Sequence, residues 1–255
     1  MARPSLALRW RRLVRHHRSR RSGVHGWTMR RWCVLSAFVV TALFVATGVM
    51  VNTAQTGVDE RVRARAQRLT GELGALSVSA ARRHREDYQR SAFGTPWSDE
   101  VRVRGGSNGC DTRNDILARD LHDTRRGPTK TCPGAVLAGE FRSPYTGDYI
   151  VFRRDLGAAA VQIDHIVPLA YAWDMGAWAW PAELRQDFAN DPANLVAVDG
   201  GSNQDKSDAE PARWMPDERG FWCQYAVQFV IVVRSYGLAI DAASRDVLAD
   251  ALRCR

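Results

Sequence analysis

Nineteen consecutive residues, Cys33 to Val51, carry no charged side chain. At about 1.5 Å per residue that run makes a helix of roughly 28 Å, close to the ~30 Å hydrocarbon core of a bilayer. A buried core helix of this length ordinarily shows polar residues along one face, so a membrane span is the expected reading. Residues 1–32 carry ten basic side chains and no acidic one. The positive-inside rule keeps such a tail in the cytoplasm and sends everything after Val51 outside it. Ala46-Thr47-Gly48 is compatible with a small-x-small cleavage site, whereas the 32-residue basic region and the long apolar run favour an uncleaved anchor. The expected location is therefore the cell membrane, single-pass with an extracytoplasmic domain, or secretion if the signal is cleaved.

The same tail accounts for the net charge of +8. Residues 33–255 hold 26 basic and 28 acidic side chains, so the basic excess gives no support to nucleic-acid binding by the folded part. With 45% hydrophobic and 25% charged residues, the composition excludes wholesale disorder and collagen-like structure. The length of 255 residues suits one domain with attachments or two small ones.

Cys33 lies in the apolar run, leaving Cys110, Cys132, Cys223 and Cys254 beyond it. An even number of cysteines in an oxidising compartment suggests two disulfides. Three connectivities exist, and the sequence-local one, Cys110–Cys132 with Cys223–Cys254, is favoured. A four-cysteine zinc site competes, but no Cys-x-x-Cys pair is present to seed one.

Residues 52–87 are rich in Arg, Glu and Ala and lack aromatics, which reads as a helical or partly disordered stalk; Gly71 and Gly74 interrupt any long heptad pattern. Aromatic and turn residues begin at Tyr88, so the domain is placed at 88–255. Asp111 is suited to cap a helix through Asp120 with Ile116, Leu117 and Leu121 inward. Strands are expected at Ala135–Phe141 and Tyr149–Arg153 around the Ser143–Asp148 turn, then at Ala160–Val167. Residues 169–190 read as helical, with Pro181 in a first turn. Asn194–Val198 reads as a strand and Ser202–Ala209 as a short helix. Two helices follow, about 221–236 and 241–253, the first ended by Gly237. Strands and helices without βαβ regularity make the fold class α+β.

In Val161-Gln162-Ile163-Asp164-His165-Ile166-Val167-Pro168-Leu169, an Asp beside a His at a strand end points the two side chains to opposite faces. One can hold a metal while the other meets a nucleophile. Of the three histidines beyond the apolar run, His84 lies in the stalk and His122 in a polar helix end, leaving His165 as the candidate base. Asn194 opens the next strand, and Asn203 and Lys206 lie on the helix after it. Each taken singly is a turn or capping residue; the order of strand with Asp-His, strand with Asn, then helix with Asn and Lys is what carries the signal. Tyr171, Trp173, Trp178 and Trp180, and likewise Trp214 and Trp222, read as packing rather than base-stacking residues. Arg113 and Asp115 read as structural.

That order resembles the ββα-metal, or HNH, nucleases. Residues from about Tyr88 to Cys254 are similar to the secreted nuclease domain of GmrSD C-terminal type. The blocks that carry the resemblance are Gly109–Leu117, Ser143–Gly147, Asp164–Leu169, Phe188–Asp191 with Asn194-Leu195, and Asn203–Lys206. The resemblance implies an HNH-like core with added helices, acting as a phosphodiester hydrolase on nucleic acid, DNA in the first instance. It implies His165 as general base, Asn194 orienting it, Asp164 and Asn203 binding one divalent cation, and Lys206 touching phosphate. Asn203 stands where the HNH pattern has its last His, and an amide oxygen suits a hard cation, Mg²⁺ or Mn²⁺, better than zinc. In-line attack by water requires a base and a cation near the leaving oxygen, and an imidazole near pKa ~6.5 serves as that base.

Two rivals compete with the nuclease reading. A catalytically silent extracytoplasmic module would keep the fold for binding, but all five expected site residues are present. A metal-dependent peptidoglycan or protein hydrolase would need two histidines and a third ligand around zinc, and the domain offers only His122 and His165.

Overall fold

The described residues of the computed structural model are 25–157 and 159–254, with the side chains of 25–31, 35 and 45–59 outside them. Most of the basic tail thus falls outside the described residues. The chain divides into two compact units, Met1–Val58 and Asp59–Arg255.

In the first unit the backbone is helical from His25, within helix α1 (His25–Leu73). Trp32, Val34, Phe38, Val39, Val40, Leu43 and Phe44 are exposed there. Among the described residues no helix is long and apolar enough to cross a membrane. The expected span 33–51 falls partly outside them, at residue 35 and from residue 45 onward.

The second unit begins within what the sequence suggested was a stalk. Val62, Ala66, Leu69 and Leu73 recur at helical spacing, and the last three are 0–4% exposed in the main core beside Tyr225 and Phe229. Burying each leucine contributes roughly 1.5–3 kcal/mol. These small and aliphatic residues carry no aromatic signal, which is why the packed stripe passes for a solvated helix. Strand β1 (Val78–Ser79) pairs in parallel with β7 (Ile240–Asp241), tying this segment to the C-terminal region. Arg82 then enters the fold with its side chain 5% exposed. Its guanidinium bonds the carboxylates of Asp174 at 2.8 Å, Asp208 at 2.9 Å and Glu210 at 2.7 Å.

Helix α2 (Thr112–Asp120) is capped by Asp111, whose side chain accepts from the Asn114 N–H, and it buries Ile116 and Leu117 as expected. An antiparallel sheet follows in the order β2 (His122–Gly127), β3 (Ala135–Arg142), β4 (Tyr149–Arg153). β2 went unread because HDTRRG buries no apolar side chain. His122 accordingly opens an edge strand rather than ending a helix, and it is exposed there. The segment expected to be helical over 169–190 is split into α3 (Leu169–Asp174), a 3₁₀ turn at Ala177–Ala179 and α4 (Ala182–Asn190). Gly176, at φ +134°, takes a conformation closed to other residues, and Pro181 stands just before α4.

β5 (Val161–His165) and β6 (Leu195–Asp199) form an antiparallel ribbon in which His165 faces Leu195 and Asp164 faces Val196. The ribbon lies between two cores. Val161, Ile163, Leu195 and Ala197 join Ile116, Leu117, Phe141 and Phe152 on one side, while Val196 and Val198 join the main core on the other. Helix α5 (Gly200–Lys206) leaves β6 directly, with Asp199 accepting from the Ser202 N–H as its cap. α6 (Trp222–Ser235) and α7 (Ala242–Ala251) complete the unit, and Gly237, at φ +63°, stands just past the end of α6. The fold is mixed α and β with two disulfides, Cys110–Cys132 and Cys223–Cys254. The aromatic residues are mainly structural: Trp173 packs on Phe93 and Tyr88, and Trp180 on Phe188 and Tyr236. Trp178 is half exposed beneath the Arg85 guanidinium.

Candidate active site

Alternation along β5 separates Asp164 from His165. His165 faces the side of Val161 and Ile163, where the Trp97 ring stacks on it at 6.0 Å and 12°. Its Nε2 lies 2.8 Å from the Ala189 carbonyl oxygen. A carbonyl only accepts, so Nε2 carries the proton and the neutral ring keeps the lone pair of Nδ1. Burial is the main cause that pushes the imidazole pKa down to about 4. The ring is therefore a neutral acceptor at physiological pH.

Asp164 faces the opposite side and is 5% exposed. Its Oδ2 accepts from the Tyr145 hydroxyl and, at 2.8 Å, from Lys206 Nζ. Lys206 also donates to the His165 carbonyl oxygen at 2.8 Å, and it is 0% exposed, near the Trp214 ring. Desolvation pushes its pKa down. The ammonium that was expected at a phosphate lies beneath the strand, bonded to Asp164 and to the backbone, and does not line the cavity described below. The basic residue on a polar-looking helix turns inward because a buried carboxylate on β5 draws it there.

Asn194 is also 0% exposed. Its Oδ1 accepts from the Val167 N–H at 2.8 Å, its Nδ2 donates to the Val167 carbonyl at 3.2 Å, and its own carbonyl accepts from the Ile166 N–H. It fixes the turn just after His165 through the backbone rather than touching the imidazole. Asn203 donates Nδ2 to Gln162 Oε1 at 2.7 Å, which leaves its carbonyl oxygen as the free end of the amide.

Asp164, His165 and Asn203 line one cavity of about 460 Å³, which Tyr88, Arg90 and Asp208 also border. A smaller one of about 30 Å³ lies on the Trp97 side of His165. Three of the five expected residues thus meet at one surface, and the other two support it from below. Among the described residues no group of three or more His, Cys, Asp or Glu side chains stands together as a metal site. Both hydrogen bonds to Asp164 go to Oδ2, so Oδ1 and the Asn203 amide oxygen are the oxygens of these two residues that a cation in the cavity would use. Such a set fits a hard cation that keeps much of its water, and it does not fit zinc. Tyr145, Gln162, Trp97 and Arg90 are the site neighbours that sequence reasoning missed. Tyr145 belongs to the Ser143–Asp148 turn, and its position between Ser143-Pro144 and Gly147 is the signal in the sequence. Arg113 donates to the Val161 carbonyl, and Asp115 accepts from Asn108.

Comparison with known proteins places residues 111–251 in the family of GmrSD restriction endonucleases, C-terminal domain. The chain belongs to this family. An uncharacterized secreted protein of Arthroderma benhamiae is 36% identical over 148 residues, covering 57% of this chain and 68% of that protein. No solved structure matches the chain.

Proposed function

We propose that the second unit is an HNH-type endonuclease that hydrolyses phosphodiester bonds of nucleic acid, DNA first, with His165 as general base. The observation that carries this reading is the imidazole itself. Its Nε2 is committed to the Ala189 carbonyl, and it borders the same cavity as Asp164 and Asn203 in a chain whose family is one of restriction endonucleases.

In this mechanism His165 Nδ1 accepts a proton from the attacking water. The Ala189 carbonyl steadies the ring and stabilises the charge that it gains. Asn194 holds the turn that follows, so the strand end cannot drift. Asp164, fixed by Tyr145 and Lys206, and Asn203, oriented by Gln162, would hold Mg²⁺ or Mn²⁺. When bound, that cation would supply positive charge at the leaving oxygen. Backbone contacts of this kind position a substrate without reading its bases, so little sequence preference is expected.

The two disulfides favour an oxidising compartment, and the relative described as secreted agrees with it. We place the nuclease outside the cytoplasm on this basis, attached to the membrane through residues 33–51 or released from it. The test is incubation of the purified protein with plasmid, single-stranded DNA and RNA, with and without Mg²⁺. Cation-dependent nicking of any of the three supports the reading. Intact substrates throughout would reduce the domain to a binding module.

A further inference from the structure

With Lys206 buried, the cavity needs another cation to meet a phosphodiester, and Arg90 is placed to serve. It borders both the 460 Å³ cavity and the smaller one on the Trp97 side, and His165 lines both as well. Its base is rigid. Arg90 opens the 3₁₀ turn Arg90–Phe93, whose last residue is 2% exposed and packs on Trp173 and Phe188 at 6.1 Å each. The Ala92 carbonyl in the same turn accepts from Arg185 Nε at 2.8 Å.

Neighbouring arginines are already engaged. Arg82 is held by three carboxylates, Arg85 by Asp87, and Arg185 by the carbonyls of Ala92 and Trp180. Arg90 is exposed, and among the described residues it has no carboxylate partner. An arginine at the start of a packed turn, paired with neither Asp164 nor Asp208 although both line its cavity, is suited to bidentate contact with phosphate oxygens.

We propose that Arg90 binds the non-bridging oxygens of the scissile phosphodiester, as a catalytic residue lying outside the family-matched region 111–251. The proposal rests on the nuclease reading for its substrate, yet it can be tested without cleavage. Binding of a short single-stranded oligothymidylate to the full chain is measured in EDTA, for wild type, Arg90→Gln, Arg90→Lys and a control, Arg104→Gln. Arg104 is exposed and borders neither cavity.

Arg90→Gln should weaken binding about tenfold or more, lower the salt dependence by about one phosphate contact, and reduce kcat on cleavable substrate. Arg90→Lys should recover part of the affinity, and Arg104→Gln should stay within about twofold of wild type. An affinity for Arg90→Gln equal to wild type or to the control overturns the proposal, as does absence of wild-type binding. If wild type binds through Arg90 but cuts nothing, the phosphate site stands and the nuclease reading falls. If Arg90→Gln both binds and cuts like wild type, Arg90 is dismissed and the nuclease reading survives.

Discussion

Lys206 Nζ lies 2.8 Å from Asp164 Oδ2 and 2.8 Å from the His165 carbonyl oxygen, with no part of the side chain exposed. One ammonium thus couples the last turn of α5 to both chemical residues of β5. It balances the Asp164 charge from below while the cavity opens on the other side. A buried pair of this kind owes much of its value to the cost of breaking it.

Lys206→Ala should therefore destabilise the domain by about 3–5 kcal/mol, because it strands the Asp164 carboxylate in the core. Equilibrium denaturation checks this. A variant of unchanged stability but weakened nucleic-acid binding would restore a phosphate-contact role.

His165→Ala should lower nuclease turnover by about 10²–10⁴-fold, the usual contribution of a positioned base. Far-UV circular dichroism should be unchanged. Plasmid cleavage near the wild-type rate would mean that another group takes the proton.

Asn194→Ala should cost about 1–3 kcal/mol by leaving the Val167 N–H and carbonyl without partners in the interior. Asn194→Asp keeps the acceptor and loses the donor. Thermal denaturation of the pair should show which half of the bridge matters; no loss in either variant would remove Asn194 from the positioning role.

Exhaustive chelation should abolish cleavage, and Mg²⁺ or Mn²⁺ should restore it. Asn203→Ala should raise the Mg²⁺ concentration needed for half-maximal rate. A titration curve identical to wild type would place the ligand elsewhere, and full activity in excess chelator would remove the cation from the mechanism.

Intact mass of the unreduced protein should be lower by four hydrogens than after reduction. Loss of either bridge, which close separations of 22 and 31 residues, should cost on the order of 2–4 kcal/mol. Mutation of each pair to serine, followed by denaturant titration, measures it.

Local chemistry explains what was readable in advance. Asp111 before an amphipathic turn announces α2, Gly237 announces the end of α6, and β5 and β6 are legible as strands. The Asp-His alternation also follows directly from strand geometry. What escaped depends on partners distant in sequence. Lys206 turns inward only because Asp164, 42 residues earlier, is buried on the facing strand. β2 is held by its ladder to β3 and not by burial, so HDTRRG shows no period. Trp97, which stacks on His165, and Arg90, which borders the same cavities, come from a segment with no regular element longer than one turn.

The parallel pairing of Val78–Ser79 with Ile240–Asp241, and the clasp of Arg82 on Asp174, Asp208 and Glu210, decide how short a fragment of this chain can be and still pack. Removing the chain through Leu73 would strip Ala66, Leu69 and Leu73 from the main core, and removing it through Arg82 would also break the clasp. A fragment that keeps this core whole therefore has to begin upstream of Ala66.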